Sequence, residues 1–173
     1  MHTMNRYCVA LLPVRNTEAF ISLSQQIPLE KDYQLGLNSL PHVTISQFLL
    51  TENKLAKLWE TVIEMDVLSL NLTFKAFSCI TFDKINFWIS LLPTKTEELN
   101  KLHTKLNPIV NVQSFRPYDP HLTLLSTKDP NYIGKAHSIL KKDILLSDDF
   151  VIAIGNCDKL GQFTNTIYKF EPR

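Results

Sequence analysis

Pro41-His42-Val43-Thr44-Ile45 and Pro120-His121-Leu122-Thr123-Leu124 are two copies of one five-residue pattern, with their histidines 79 positions apart. Each histidine follows a proline, whose restricted geometry favours extended chain and marks the point where a strand begins. Side chains on a strand alternate between faces, so His42 and Thr44 share one side about 7 Å apart while Val43 and Ile45 face the other. His121 and Thr123 repeat the arrangement, with Leu122 and Leu124 turned inward. One His-x-Thr triplet arises easily by chance; two in matched surroundings carry information.

The match extends outward from the pair. Leu11-Leu12-Pro13 stands before the first copy and Leu91-Leu92-Pro93 before the second, with 29 positions from Pro13 to His42 and 28 from Pro93 to His121. Around them strand-like and helix-like runs alternate. Arg6 to Leu12 reads as a strand, followed by a helix from Thr17 to Ile27 capped by Asn16. A strand over 42–48 leads to a helix capped by Thr51, whose stripe of Leu55, Leu58, Trp59 and Val62 assigns Trp59 to the core. Leu68 to Phe74 alternates strictly, and its parity changes near Ala76 and Phe77, which predicts a bulge before the strand ends around Phe82. Phe87 to Leu92 is a strand. Thr94 with Glu97 then resembles a capping box for a helix lined by Leu99, Leu102 and Leu106 and halted at Asn107-Pro108. A strand begins near His121, Asp129-Pro130 starts a helix over Tyr132 to Lys141, and strands over Leu145–Asn156 and Gln162–Phe170 close the chain.

This pattern predicts an α+β class protein: a bilobal duplicated fold with two antiparallel-rich sheets and outer helices around a central cleft that carries both motifs. Residues 1–173 form one domain of two pseudo-symmetric lobes, with no flexible linker between them. The cleft then holds two imidazoles and two hydroxyls.

Composition removes several alternatives. The 173 residues are 45% apolar, and 18 Lys plus Arg against 17 Asp plus Glu give a net charge of +1. That balance supplies no bulk positive field for coating duplex nucleic acid. Four glycines, dispersed along the chain, cannot build a phosphate-cradling loop or a dinucleotide fingerprint. Cys8, Cys79 and Cys157 are odd in number and widely spaced, indicating neither a disulfide framework nor a metal site. The apolar run from Tyr7 to Val14 is too short to span a bilayer. A soluble, cytoplasmic, monomeric protein without cofactor or metal is expected.

Two imidazoles and two hydroxyls in one cleft suit phosphodiester chemistry at neutral pH. One ring can accept a proton while the other donates one, and the hydroxyls can hydrogen-bond the non-bridging phosphate oxygens. With the opening Tyr7-Cys8-Val9-Ala10-Leu11-Leu12-Pro13 strand, the paired motifs resemble the two-histidine (2H) phosphoesterase superfamily, which includes LigT-like 2′,5′-RNA ligases and cyclic nucleotide phosphodiesterases. Gly161-Gln162-Phe163 before the closing strand also resembles its bacterial members. The resemblance spans nearly the whole chain. It implies metal-independent hydrolysis or formation of a phosphodiester at a ribose 2′ position, with His42 and His121 catalytic and Thr44 and Thr123 binding phosphate. The approach Arg116-Pro117-Tyr118-Asp119-Pro120 departs from the shorter Arg-Pro-His of many LigT-like members.

Other candidates have a plainer reading beside the functional one. Phe48 shares the strand parity of His42 and Thr44 and can stack on a base, or pack in the core. Tyr118 can line the rim or serve the turn. Arg15 and Arg116 match phosphate geometry but equally suit solvated surface. His2, His103 and His137 read as terminal, surface or half-buried residues, and Lys141-Lys142 as an exposed helix end. The expected partner is an RNA end or a small nucleotide carrying a 2′,3′-cyclic phosphate or 2′,5′ linkage. The alternatives are an RNA 2′,5′-ligase, a non-catalytic RNA-end or nucleotide-binding module, and a metal site built on His42 and His121.

Overall fold

A computed structural model describes residues 3–112, 117–141 and 145–172. The chain runs β1 (Met4–Pro13), α1 (Thr17–Gln26), β2 (Tyr33–Gln34), β3 (Val43–Thr51), a single 3-10 turn at Glu52–Lys54, α2 (Leu55–Ile63), β4 (Ser69–Thr81), β5 (Phe87–Pro93), α3 (Thr96–Val110), β6 (Leu122–Thr127), α4 (Tyr132–Leu140), β7 (Leu146–Cys157) and β8 (Phe163–Lys169). The strands pair in the order β2-β6-β5-β4-β7-β1-β3, with β8 on the free side of β7, and every named pairing is antiparallel. The two sheets expected from the repeat are continuous through the β4–β7 ladder.

The order from β6 to β3 is a palindrome under the repeat: β6, β5 and β4 correspond to β3, β1 and β7. Thr17 and Thr96 begin α1 and α3, and Val43 and Leu122 begin β3 and β6, each pair 79 positions apart like the histidines. The closing strand of each half crosses over: β4 pairs with β5 of the second half, and β7 pairs with β1 of the first. The helices cross too, α1 packing on β6 and α3 on β3. Laid flat, β3 and β6 would stand five strand spacings apart, about 24 Å. Their Cα atoms instead come within 8 Å, so the sheet curls until its two motif strands meet.

Alternation along β1 shows how the curl is packed. Tyr7, Val9 and Leu11 enter the main core under the helices, whereas Cys8, Ala10 and Leu12 join Ala153, Cys157 and Phe163 in a small cluster on the opposite face. At the β4–β7 junction Phe74 and Phe150 pack against Phe20 of α1, ring centroids 5.5 and 5.9 Å from it. The parity change in β4 is a register shift between Phe74 and Ala76. Trp59 packs against the core and stacks on Tyr168 at 5.6 Å.

Several local expectations give way to tertiary contacts. Asn16 takes the N-cap position of α1 but makes no side-chain cap: its Nδ2 donates to the Ser147 carbonyl at 2.7 Å, and the buried Asp148 carboxylate accepts the Arg15 and Asn16 amides just before the helix at 2.8 and 2.7 Å. Thr51 bonds Asn53, and the 3-10 turn separates it from α2. The Thr94–Glu97 box does not form: Lys95 takes the N-cap position with φ 60°, and Glu97 pairs with Lys101. Pro108 lies inside α3, which continues to Val110, because a proline this close to the end removes only one helical hydrogen bond. β2 has only two residues and no periodicity to announce it.

Gly155 marks the tightest backbone approach, where the ring of Phe163 and the carbonyl of Asn165 occupy the space a Cβ would need. Overpacking of this kind costs about 1–3 kcal/mol, so Gly155→Ala is expected to lower the thermal midpoint by roughly 5 °C or more. A midpoint equal to wild type by calorimetry would contradict this packing.

Candidate active site

The two motif histidines share one anchor. His42 Nδ1 lies 2.7 Å from the Leu40 carbonyl and His121 Nδ1 lies 2.7 Å from the Asp119 carbonyl, each two residues back. A carbonyl only accepts, so Nδ1 carries hydrogen in both rings and Nε2 is the nitrogen left for proton transfer. The threonines are followed by the same irregularity. Between β1 and β3, Val9 pairs with Ser46 and Ala10 with Thr44, leaving Ile45 as an extra residue. Between β5 and β6, Ile89 pairs with Leu125 and Ser90 with Thr123, leaving Leu124 extra. Bulges of this kind re-aim the strand beyond them. That shift overturns the parity expectation at Phe48, which turns into the core at 5% exposure, 6.2 Å from the ring of Tyr7.

A cleft of about 320 Å³ is walled by Thr44, Gln47, His103, Tyr118, Asp119 and His121, among others. Two larger hollows, of about 840 and 770 Å³, lie between β4 and α4 and between β3 and α2, and neither has His42 or His121 in its wall. The smaller cleft has His121 and Thr44 in its wall; His42 and Thr123, expected in the same cleft, do not line it. Thr44 is held from two sides within it. Burial and the neighbouring Cys157 push the Cys8 thiol up, keeping it protonated, and its sulfur lies 3.4 Å from the Val9 carbonyl and 3.8 Å from Thr44 Oγ1. Burial likewise raises the Tyr118 phenol, which donates to the Thr44 carbonyl at 2.7 Å. Thr123 is half-buried at the corresponding place on β6.

His42 lies beside this wall under the β7–β8 turn, at 5% exposure. Phe163 packs on it with ring centroids 5.5 Å apart, and Phe163 is itself clamped by Ser39 Oγ and the Leu40 amide. The turn is braced by Asp158, which accepts the amides of Leu160 and Gln162, and Gly161 completes it with φ +81°, a conformation that favours glycine. Its carbonyl ends 3.1 Å from His42 Nε2. Both contacts of the ring are hydrogen bonds together only in the imidazolium. Burial acts against that form and brings His42 down to about 4, the two carbonyls opposing and the charge of His121 adding to the fall. At neutral pH the ring is therefore neutral, its proton on Nδ1, where the contact is shorter. His121 is more open, and no hydrogen bond to its Nε2 is found among the described residues.

The remaining candidates are placed unequally. Arg15 is exposed and pairs with Asp149 at 3.9 Å, outside the cleft wall. Tyr118 lies in the wall, and Arg116 and His2 lie outside the described residues. His103, read from sequence as an ordinary helix residue, is in the wall and engaged on both ring nitrogens. Among the described residues no group of three or more His, Cys, Asp or Glu side chains is placed to hold a metal ion, and no helix is long and apolar enough to cross a membrane.

No family model and no curated protein matches the sequence. Solved structures do match the fold. E. coli LigT complexed with 3′-AMP aligns over 97% of this chain and 98% of its own at TM-score 0.60 and 15% identity. Kluyveromyces marxianus Usb1 aligns over 94% and 95% at 0.55 and 8%, and the MHV ns2 PDE domain over 88% and 99% at 0.54 and 12%. The α+β arrangement of this chain is thus the fold of LigT, end to end.

The burial of His42 has a measurable consequence. An unfolded histidine binds its proton near pH 6.5 and the folded ring only near about 4, so the unfolded state holds more protons between these values. Stability is therefore full above pH 6.5 and falls as the pH drops towards 4, by on the order of 3 kcal/mol from this ring. Imidazole resonances followed by NMR should show His42 neutral at pH 5.5; half-protonation at pH 6.5 would contradict the assignment.

Proposed function

We propose that the protein is a metal-independent phosphodiesterase of the two-histidine type, acting on a 2′,3′-cyclic phosphate or 2′,5′-linked phosphodiester of RNA or a nucleotide. The observation that carries this reading is the repeated anchor, with both Nδ1 atoms on carbonyls two residues back; Nε2 is then the nitrogen that exchanges a proton in each ring, beside the Gly161 carbonyl in His42. Thr44 and His121 in one cleft wall, and a LigT structure with a bound nucleotide monophosphate, support the same chemistry.

The different surroundings of the two rings suggest their roles. His42, neutral at pH 7, is the base: Nε2 takes a proton from water as its oxygen bonds to phosphorus. The imidazolium formed has the Leu40 and Gly161 carbonyls to receive both N–H groups. His121 in its protonated form is the acid, giving its Nε2 proton to the ribose oxygen as the phosphorus–oxygen bond breaks. The products are a phosphomonoester and a free ribose hydroxyl, and solvent restores the two protonation states. Thr44 and Thr123 donate to the non-bridging oxygens as charge builds on them. RNA 2′,5′-ligation is the same chemistry run in reverse.

Incubation with 2′,3′-cyclic nucleotides and 2′,5′-linked dinucleotides in EDTA, with products separated by isomer, is the direct test. Turnover is expected without added metal, and His42→Ala and His121→Ala should each lower it by about 10²- to 10⁴-fold. Rate should fall at acid pH as His42 is protonated and again at alkaline pH as the acid is lost. Full activity in His42→Ala would overturn the role given to that ring, and nucleotide binding with no turnover by wild type would replace this reading with that of a binding module.

A further inference from the structure

The bulge after each motif threonine leaves one strand carbonyl turned away from the ladder, and a helix side chain meets it in both lobes. Ser24 of α1 donates to the Leu124 carbonyl at 2.7 Å, and His103 Nδ1 of α3 donates to the Ile45 carbonyl at 2.6 Å. Ser24 and His103 are 79 positions apart, as are Leu124 and Ile45, so the two bonds are one device repeated. In the second lobe a fully buried hydroxyl is enough. In the first the position carries an imidazole that reaches the cleft wall.

That ring makes two further contacts, each of which leads on towards Thr44. It lies flat on Tyr118, centroids 4.2 Å apart and planes within 6°. Its Nε2 accepts from Asn107 Nδ2 at 2.9 Å, and Asn107 Oδ1 accepts from Ser46 Oγ at 3.1 Å, on the far side of the bulge. Tyr118 in turn donates to the Thr44 carbonyl. His103 thus touches both supports of Thr44, the bulge that follows it and the tyrosine that binds its backbone.

We infer that His103 is a positioning residue that sets the direction of the Thr44 hydroxyl, through the Ile45 carbonyl on one side and Tyr118 on the other. The inference rests on the proposed role of Thr44 as a phosphate ligand. A histidine that merely stabilised the fold would act on activity independently of Thr44, whereas one acting through Thr44 loses its effect when that hydroxyl is gone.

The test is a cycle of His103→Ala, His103→Ser and Thr44→Val, alone and combined, read as kcat/KM for a 2′,3′-cyclic nucleotide and as the Kd of inorganic phosphate by NMR titration. His103→Ala should lower kcat/KM and weaken phosphate each by roughly tenfold in the wild-type background and by less than about twofold beside Thr44→Val. His103→Ser, the residue the other lobe uses, should recover part of the loss. It also serves where the alanine variant does not fold. Equal effects in both backgrounds, or serine no better than alanine in a folded protein, would overturn the inference. If wild type binds phosphate but turns over no cyclic nucleotide, the proposed function fails while the phosphate cycle still decides His103; if it binds no phosphate, both fail.

Discussion

The antiparallel ladder between the first halves of β4 and β7 is the constraint on which the molecule depends. Ser69 to Phe74 and Leu146 to Val151 are the segments paired there, and beyond them each strand leaves for the other half's sheet. Neither half keeps its own closing strand, and neither keeps its first helix against its own motif strand. Each half therefore supplies ladder and packing partners to the other: β5 to β4, β1 to β7, β6 to α1 and β3 to α3. The same exchange forces the curl that brings β3 to β6, and without that curl the two motifs would face empty solvent.

Within this frame the lobes use identical parts to different ends. Both histidines are tied through Nδ1 to a carbonyl two residues back, and both threonines precede a bulge whose carbonyl is met by a helix side chain. What separates them lies outside the repeat. The β7–β8 turn covers His42, and among the described residues no hydrogen bond reaches His121 Nε2. Burial then favours the neutral form of the His42 ring. On the outer edges β2 pairs with β6, whereas β3 is met by the side chains of His103 and Tyr118.

Much of this was legible beforehand. The strands other than β2, the four helices and the β4 irregularity follow from periodicity, because each buries one stripe or one face and the apolar spacing records which. His42, Thr44, His121 and Tyr118 were singled out and lie in or beside one wall. Of the two readings of Phe48 the core one holds, because the bulge at Ile45, which has no signature in the alternation before it, sends the later side chains to the other face. The Asn16 cap failed because contacts more than 130 residues away hold that residue: its amide donates to the buried Asp148 carboxylate and its side chain to the Ser147 carbonyl. His103 was passed over as a helix residue, although its distance of 79 from Ser24 was available to find it.

What the amino-acid order determined alone is whatever repeats or alternates: two motifs, two halves, the inward faces of each strand and helix, and the absence of a glycine loop. These are properties of neighbouring residues and of spacing, which the backbone's own geometry converts into local form. Which half supplies the partner of which strand, which imidazole is covered, and which side chain closes the bulge were decided only in three dimensions. They depend on contacts between residues far apart in the chain, and burial, the force that ranks those contacts and shifts the proton affinity of His42, does not exist until the sheet has curled.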